Sequence, residues 1–267
     1  MSTLPDPLED VLGSPVATSE PLSGGDLGEL SLITLRDGRQ LVAKRGPVVD
    51  AEARMLSAMA LLNAPVPRLL HAEKGLICLE YLKPAEPGTR AWRDLGQALS
   101  QMHSWAGQDY GWREDYAFGT VRLDNTPGSD WPAFWSERRL LPLAEDLPAP
   151  IRARVEALAA DLPNRLPADP KPALLHGDLW TGNVIFTEAQ GYLIDPACYY
   201  GDAEVDLAML SLFGTPDPTF WRGYGRLSAG SDERRPIYQL FPALVHLQLF
   251  GDSYQGLVTR LLDEAGA

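Results

Sequence analysis

The chain has little of what marks a secreted, membrane-bound or nucleic-acid-binding protein. Two cysteines, Cys78 and Cys198, stand far apart in 267 residues. They are too few for a disulfide framework, so a reducing cytoplasm is the natural setting. Both thiols read as small buried apolar filler. No apolar run is long enough to span a bilayer, and the opening "MSTLPDPLEDVLG" lacks a basic region followed by an apolar one, which speaks against a membrane partner. Basic residues are scarce. Lys and Arg number 23 against 36 Asp and Glu, for a formal charge of -13. That balance argues against a nucleic-acid partner, because phosphate backbones demand dense cations. A single nucleotide remains admissible where a few positive groups and a metal ion are placed locally. Internal repeats and low-complexity tracts are absent as well.

What is present is ordinary globular material, 45% hydrophobic and 22% charged, in a length that suits one large domain or two lobes. "SLITLRDGRQLVAKRG" reads as a hairpin turning at "RDGR", with Leu30, Leu32 and Thr34 alternating against Ser31, Ile33 and Leu35. "DAEARMLSAMALLN" reads as a helix with Asp50 as its N-cap, and "GLICLEYL" as a buried strand. "KPAEPG" marks a lobe boundary. The expected fold class is therefore α+β, with a small β-rich lobe holding one helix over residues 1–83 and a larger, mostly helical lobe over 84–267. In the second part Trp92, Leu95, Leu99 and Met102 recur at helical spacing. "DWPAFWSERRLLPLAEDL" and "PAPIRARVEALAADL" suggest two further helices, and the tail from "PIYQLF" onward a final helical pair.

Five polar features follow in a chemically meaningful order. Lys44 ends a strand, Glu52 lies early in the next helix, Asp178 and Asn183 sit in "HGDLWTGN", and Asp195 follows the apolar "YLI". Phosphoryl transfer asks a protein for positioning and charge stabilisation more than for covalent chemistry. It needs an ammonium for nucleotide phosphates, a carboxylate to hold that ammonium, a base beside the attacking hydroxyl, and oxygens for magnesium. The loop fits the His-x-Asp-Leu-x-x-x-Asn spacing of a kinase catalytic loop, with Gly where protein kinases carry Arg. Asp195 comes twelve residues after Asn183, right for a short hairpin that returns a second metal carboxylate to the same cleft. Asp178 is the better base. His176 reads as a brace for the loop, and Asp206 as its anchor. "SGGDLG", with Gly24 and Gly25, is a candidate turn over the phosphates, and Glu80, Tyr81 and Leu82 a candidate hinge meeting adenine.

The stretches "LLHGDLWTGNVIF", "LIDPACYYGDAEVDLAMLSLFG", "DWPAFWSERRL" and "LFGDSYQ" closely resemble the fructosamine kinases, or ketosamine-3-kinases, within the wider aminoglycoside phosphotransferase and choline kinase group. The resemblance covers nearly the whole chain. It implies a bilobal protein-kinase-like fold, ATP with Mg2+, and transfer of the γ-phosphate to the sugar 3-hydroxyl of a free or protein-bound ketosamine, a deglycation activity. By matching motif it implies Asp178 as base, Asn183 and Asp195 as metal ligands, Lys44 with Glu52 as the phosphate-binding pair, and Glu80 to Leu82 as hinge. The segment around Gly24 and Gly25 carries no Cys, unlike redox-sensitive members, so no thiol switch is expected there. Trp180, Trp131, Tyr199 and Tyr200 are candidate walls for a sugar, and Asp202 and Glu204 candidate partners for a cationic amine. Phe134 and Trp135 read as helix packing, and Arg138 and Arg139 as partners of acidic residues. A kinase of another hydroxylated amine (an aminoglycoside or choline), or a nucleotide-binding pseudoenzyme, is the alternative. Oligomeric state is open.

Overall fold

In the computed structural model, residues 12–22 and 28–267 are described. The N-terminal part is a five-stranded antiparallel sheet in the order β1-β2-β3-β5-β4, built from β1 (Val16–Pro21), β2 (Glu29–Leu35), β3 (Gln40–Arg45), β4 (Leu69–Glu73) and β5 (Leu76–Glu80). Alternation along the strands gives the sheet two apolar faces. Ile33, Leu35, Leu41, Ala43, Leu76 and Cys78 form one cluster with Leu12. Ile77 and Leu79 face the other way, onto Val49, Ala53 and Leu56 of helix α1 (Val49–Leu61). Lys44 pairs in register with Ile77, so its side chain emerges on the helix side. The buried stripe of α1 runs Val49, Glu52, Ala53, Met55, Leu56 and Met59. It therefore carries a carboxylate among apolar side chains, directly across from that lysine.

Asp50 does not cap α1. The N-cap lies two residues earlier, at Val48, which makes no side-chain cap bond. Asp50 sits in the first turn, where a carboxylate suits the helix dipole, and its Oδ1 accepts the Gly75 N–H at 2.9 Å in the β4–β5 turn.

Met55 and Met59 of α1 join the large core of the C-terminal part, so the helix is shared between both parts. There, α2 (Thr89–His103) buries Trp92, Leu95, Leu99 and Met102, the expected stripe. A hairpin of β6 (Tyr116–Phe118) and β7 (Val121–Leu123) follows, then α3 (Trp131–Trp135), a π-helical turn Ser136–Leu140, α4 (Leu141–Ala144) and α5 (Ala149–Arg165). Strand β8 (Ala173–Leu174) pairs with β11 (Tyr200–Gly201), and β9 (Val184–Phe186) with β10 (Gly191–Leu193). Helices α6 (Glu204–Leu210), α7 (Pro218–Tyr224), α8 (Ser231–Phe250) and α9 (Gln255–Glu264) complete the chain. No helix among the described residues is long and apolar enough to cross a membrane. Both cysteines are buried and unpaired, and burial pushes the Cys78 thiol up to about 11.

Helices α2 and α7 approach through two glycines. A Cβ on Gly96 would lie 2.2 Å from the Phe220 carbonyl oxygen, and one on Gly223 would lie 1.9 Å from that of Arg93. Both obstacles are backbone, so neither yields without parting the helices. In an open helix, Gly→Ala stabilises by roughly 0.5–1 kcal/mol. Here the sign reverses. Gly96→Ala should destabilise the protein by about 2–3 kcal/mol in urea unfolding, and a neutral or stabilising result would refute this packing.

Candidate active site

The site begins with the lysine that β3 turns toward α1. Lys44 Nζ lies 2.7 Å from Glu52 Oε2 and 2.7 Å from Asp195 Oδ1, so one ammonium joins the sheet, the helix and a loop 151 residues further on. Burial opposes its charge, but the two carboxylates outweigh that and hold the Lys44 pKa above its ordinary value. Glu52 is 1% exposed, and its Oε1 has no hydrogen-bond partner. Burial pushes its carboxyl up to about 7, against the pull of Lys44. Removing the lysine would strand two negative groups.

The loop after β8 is built by its neighbours. Gly177 adopts φ +81°, and a Cβ there would meet the Ala197 carbonyl oxygen at 2.1 Å, which accounts for glycine at a position where protein kinases carry Arg. From α6, Asp206 reaches under the loop and accepts the backbone N–H groups of His176 (2.7 Å) and Gly177 (2.9 Å). The same carboxylate meets His103 Nε2 at 3.1 Å. Burial works against its charge, yet these bonds and the two nearby imidazoles hold its pKa below the ordinary value. His176 donates from Nε2 to the Ile194 carbonyl (2.8 Å), while its Nδ1 accepts the Asp178 N–H (3.3 Å). Those partners assign the neutral ring with its proton on Nε2, in line with the burial that lowers its pKa. His176 is thus a brace and Asp206 an anchor, as their positions in the sequence suggest.

A single 3-10 turn, Thr181–Asn183, folds Asn183 back onto Asp178. Its Nδ2 donates to the Asp178 carbonyl at 2.8 Å and to Asp178 Oδ2 at 3.0 Å. Burial pushes the Asp178 carboxyl up to about 7; the Asn183 bond opposes this, and the charges of Asp195 and Asp206 add to it. Asp195 follows β10 with φ +54°, a left-handed conformation uncommon for a residue with a side chain, and its side chain is 40% exposed. The hydrogen bond from Ile194 N–H to the Asn183 carbonyl at 3.0 Å ties the two loop ends together.

Lys44, Asp178, Asn183 and Asp195 line one cavity of about 470 Å³, together with Gly177 and Trp180. Asn183 and Asp195 offer hard oxygen donors of the kind magnesium takes from a protein when substrate phosphates and water complete its shell. The same cavity is lined by Tyr116 and Phe118 of the β6–β7 hairpin and by one face of α8, with Phe241, Val245, His246 and Phe250. The sequence reading missed both walls. The strands of the hairpin have three residues each, too short for periodicity. The α8 positions recur at helical spacing, a signal that reads equally well as core.

Several expected site residues lie elsewhere. Trp131 is fully buried, stacked on Phe134 and donating its indole N–H to the Tyr238 hydroxyl at 3.0 Å. Tyr199 is buried beneath the Arg139 guanidinium, 4.3 Å from the ring centroid. Asp202 accepts from that same Tyr238 hydroxyl at 2.7 Å. None of the three lines the cavity, because α3 packs its aromatic side chains inward against α8; Trp131 and Asp202 share the Tyr238 hydroxyl, while the Tyr199 hydroxyl is buried with no partner among the described residues. Phe134 and Trp135 are core, as read. Tyr200 lines a separate depression with Trp112. Glu204 is held by Arg234 in a fork of 2.6 and 2.7 Å, and Arg138 pairs with Asp124. Arg139 departs from its reading: it bonds the Asp124 carbonyl and Asn125 Oδ1, with no carboxylate partner among the described residues. Glu80 ends β5 and Tyr81 and Leu82 follow it, all three outside this cavity, and Glu80 Oε1 accepts the Arg68 N–H at 2.9 Å. Gly24 and Gly25 lie outside the described residues.

The sequence model of a family described as fructosamine kinase matches residues 6–266. A Thermus thermophilus protein named a probable ketoamine kinase is 38% identical over 253 residues, covering 91% of this chain and 92% of its own. A Thermobifida fusca crystal structure named for a fructosamine-3-kinase superimposes with a TM-score of 0.90 at 30% identity, covering 97% of this chain and 96% of that one. At 14% identity and a TM-score of 0.63, an amicoumacin kinase solved with AMP-PNP and Ca2+ shares the fold over 96% of its own length and 97% of this chain.

The Asp206 anchor yields a stability prediction. Asn at this position offers one oxygen to two loop N–H groups and turns an NH2 against the other. Asp206→Asn should cost roughly 3 kcal/mol in urea unfolding at neutral pH. Because the folded-state pKa of Asp206 is depressed, its contribution is complete above the ordinary carboxylate value and is lost as pH falls through the folded value. The deficit of the variant should therefore shrink toward low pH. A deficit independent of pH would contradict the assigned charge.

Proposed function

The chain belongs to the fructosamine kinase family, and from that premise we propose that it transfers the γ-phosphate of ATP to the sugar 3-hydroxyl of a ketosamine. The phosphorylated adduct then decomposes and frees the amine, which makes the activity one of deglycation. The observation that carries this reading is the convergence of Lys44, Asp178, Asn183 and Asp195 on one cavity.

In this reading Glu52 holds the Lys44 ammonium where it meets the nucleotide phosphates. Asp178 accepts the hydrogen bond of the acceptor hydroxyl and takes its proton as the new O–P bond forms. Asn183 and Asp195 would hold magnesium, which would supply the positive charge that the phosphates need. The His176 and Asp206 bonds fix the loop so that the Asp178 oxygen needs no rearrangement during reaction. Residues 1–83 serve as the nucleotide lobe, with the backbone of Glu80 to Leu82 along adenine. Residues 84–267 supply the catalytic loop and the acceptor site. The half-exposed face of Trp180 walls the acceptor sugar, with the α8 face behind it.

Asp178→Asn keeps the shape and the Asn183 contact but removes the base. Turnover should fall by about 10²–10⁴, with Mg·ATP affinity within a few-fold. Unchanged turnover would remove Asp178 from the role. A panel of ribose-, erythrose- and glucose-derived ketosamines, with choline and an aminoglycoside beside them, tests the acceptor by phosphorus NMR. Phosphorylation at the sugar 3-position is expected. Transfer only to choline or the aminoglycoside would overturn the acceptor assignment, and Mg·ATP binding with no transfer to any of them would point to a non-catalytic role.

A further inference from the structure

Among the described residues, Tyr116 is the one that brings a phenol to the cavity, and nothing in the sequence pattern assigns it a task. It is 9% exposed, yet its hydroxyl makes no hydrogen bond with any described residue. Unlike the sealed Tyr199 hydroxyl, which is buried without a partner among the described residues, the Tyr116 hydroxyl keeps access to the cavity, so its donor stays free for a ligand. Its ring meets that of Phe118 edge-on, with centroids 5.5 Å apart. Around the phenol stand the charges of Glu52, Asp178 and Asp195, the carboxylates that bracket Lys44 and the catalytic loop. Together with burial, they keep its proton in place, so the group is a donor and not an anion.

The segment that carries Tyr116 is braced. At the foot of the β6–β7 hairpin, Asn125 donates its N–H to Asp115 Oδ1 (2.9 Å) and its Nδ2 to the Glu114 carbonyl (3.1 Å). Arg139, caged by the rings of Phe134 and Tyr199, donates to Asn125 Oδ1 at 2.6 Å. The Glu114 side chain takes a forked bond from Arg54 of α1, at 2.7 and 2.5 Å, two residues from Glu52. The hairpin is thereby tied to the helix that holds Lys44 and to the core beneath it. A donor on such a support is preorganised, the condition under which a hydrogen bond to developing charge accelerates a reaction.

We infer that Tyr116 is a further catalytic residue, whose O–H donates a hydrogen bond to the phosphoryl group in flight between nucleotide and acceptor. The position is the one that Lys44, Asp178 and Asp195 surround, where a metaphosphate-like group spreads charge over its equatorial oxygens. This rests on the kinase reading above, and it adds a neutral donor to the cavity that the catalytic loop lines. No proton leaves the phenol.

Tyr116→Phe removes one oxygen and keeps the ring against Phe118, and with no hydrogen bond to lose its melting temperature should match that of the parent. Calorimetric titration with Mg·ADP, and with Mg·ADP plus aluminium fluoride as a flat mimic of the transferring group, tests the inference without an acceptor. The variant should bind Mg·ADP within twofold of the parent and the fluoride complex about tenfold or more weaker. With ketosamine it should lose roughly 10²-fold in kcat at little changed KM. Equal affinity for the fluoride complex overturns the inference. So does a loss confined to the ketosamine KM, which would place the phenol on the acceptor. Weakened Mg·ADP binding alone overturns it too, since the hydroxyl would then serve the bound nucleotide and not the transferring group. Parent enzyme that discriminates the fluoride complex through Tyr116 but phosphorylates no ketosamine would sink only the acceptor assignment. Parent that binds no Mg·ADP would sink the kinase reading and this inference together.

Discussion

The structure depends on one ammonium. Lys44 is the point at which the sheet, helix α1 and the loop after β10 become a single object, through two contacts of 2.7 Å. A buried ion pair is seldom a net source of stability, because desolvation consumes most of the Coulombic gain. Its value here is geometric. Glu52 lies on the apolar stripe of α1, where a carboxylate is tolerable only beside a cation, so the helix can pack against the sheet only with Lys44 in place. Packing and site assembly are one event. Since Met55 and Met59 bury the same helix in the C-terminal core, displacing Glu52 would also disturb that core.

The carboxylates divide into two kinds by environment. Asp206 receives two backbone donors and an imidazole, and is held below its ordinary pKa despite complete burial. Asp178 receives one side-chain amide from Asn183 and is pushed up to about 7. The first is saturated and has nothing left to offer a ligand. The second keeps lone pairs free toward the cavity. The same separation holds among the histidines, since both nitrogens of His176 are consumed by the loop, while His246 bonds one carbonyl through Nδ1 and stands in the cavity wall. A rigid frame of satisfied groups positions a few unsatisfied ones.

Legibility in the sequence followed the range of the interaction. The Asp178–Asn183 pair was readable because a single turn brings the two together, and Asp195 because a three-residue hairpin returns it. Lys44 and Glu52 were readable because strand and helix are adjacent in sequence and each shows its own period. Trp131, Tyr199 and Asp202 were misplaced for the opposite reason. Their partners are Tyr238, Arg139 and one another's neighbours, up to 107 residues away, and nothing local says that an aromatic run will be turned inward. Tyr116 was invisible on the same grounds, for a three-residue strand carries no pattern, and its surroundings come from α1, the catalytic loop and the loop after β10. Asp50 failed on a register of two residues, the ordinary uncertainty of a helix boundary.

The charge of the site, set against that of the chain, limits what can enter it. Glu52, Asp178 and Asp195 meet one ammonium among the described residues of the cavity and its immediate support, inside a protein whose formal charge is already -13. A nucleotide triphosphate approaching alone would face net repulsion, strengthened by the low dielectric of a half-enclosed cavity. Arriving with a divalent cation, it brings the charge that the residues lack, and Asn183 and Asp195 supply the oxygen donors that such an ion takes from a protein. The acidity that argued against nucleic acid therefore favours a metal-escorted nucleotide over a bare one. A neutral phenol at Tyr116 fits the same balance, since it adds a donor for phosphate oxygens without adding a cation that the surrounding carboxylates would capture.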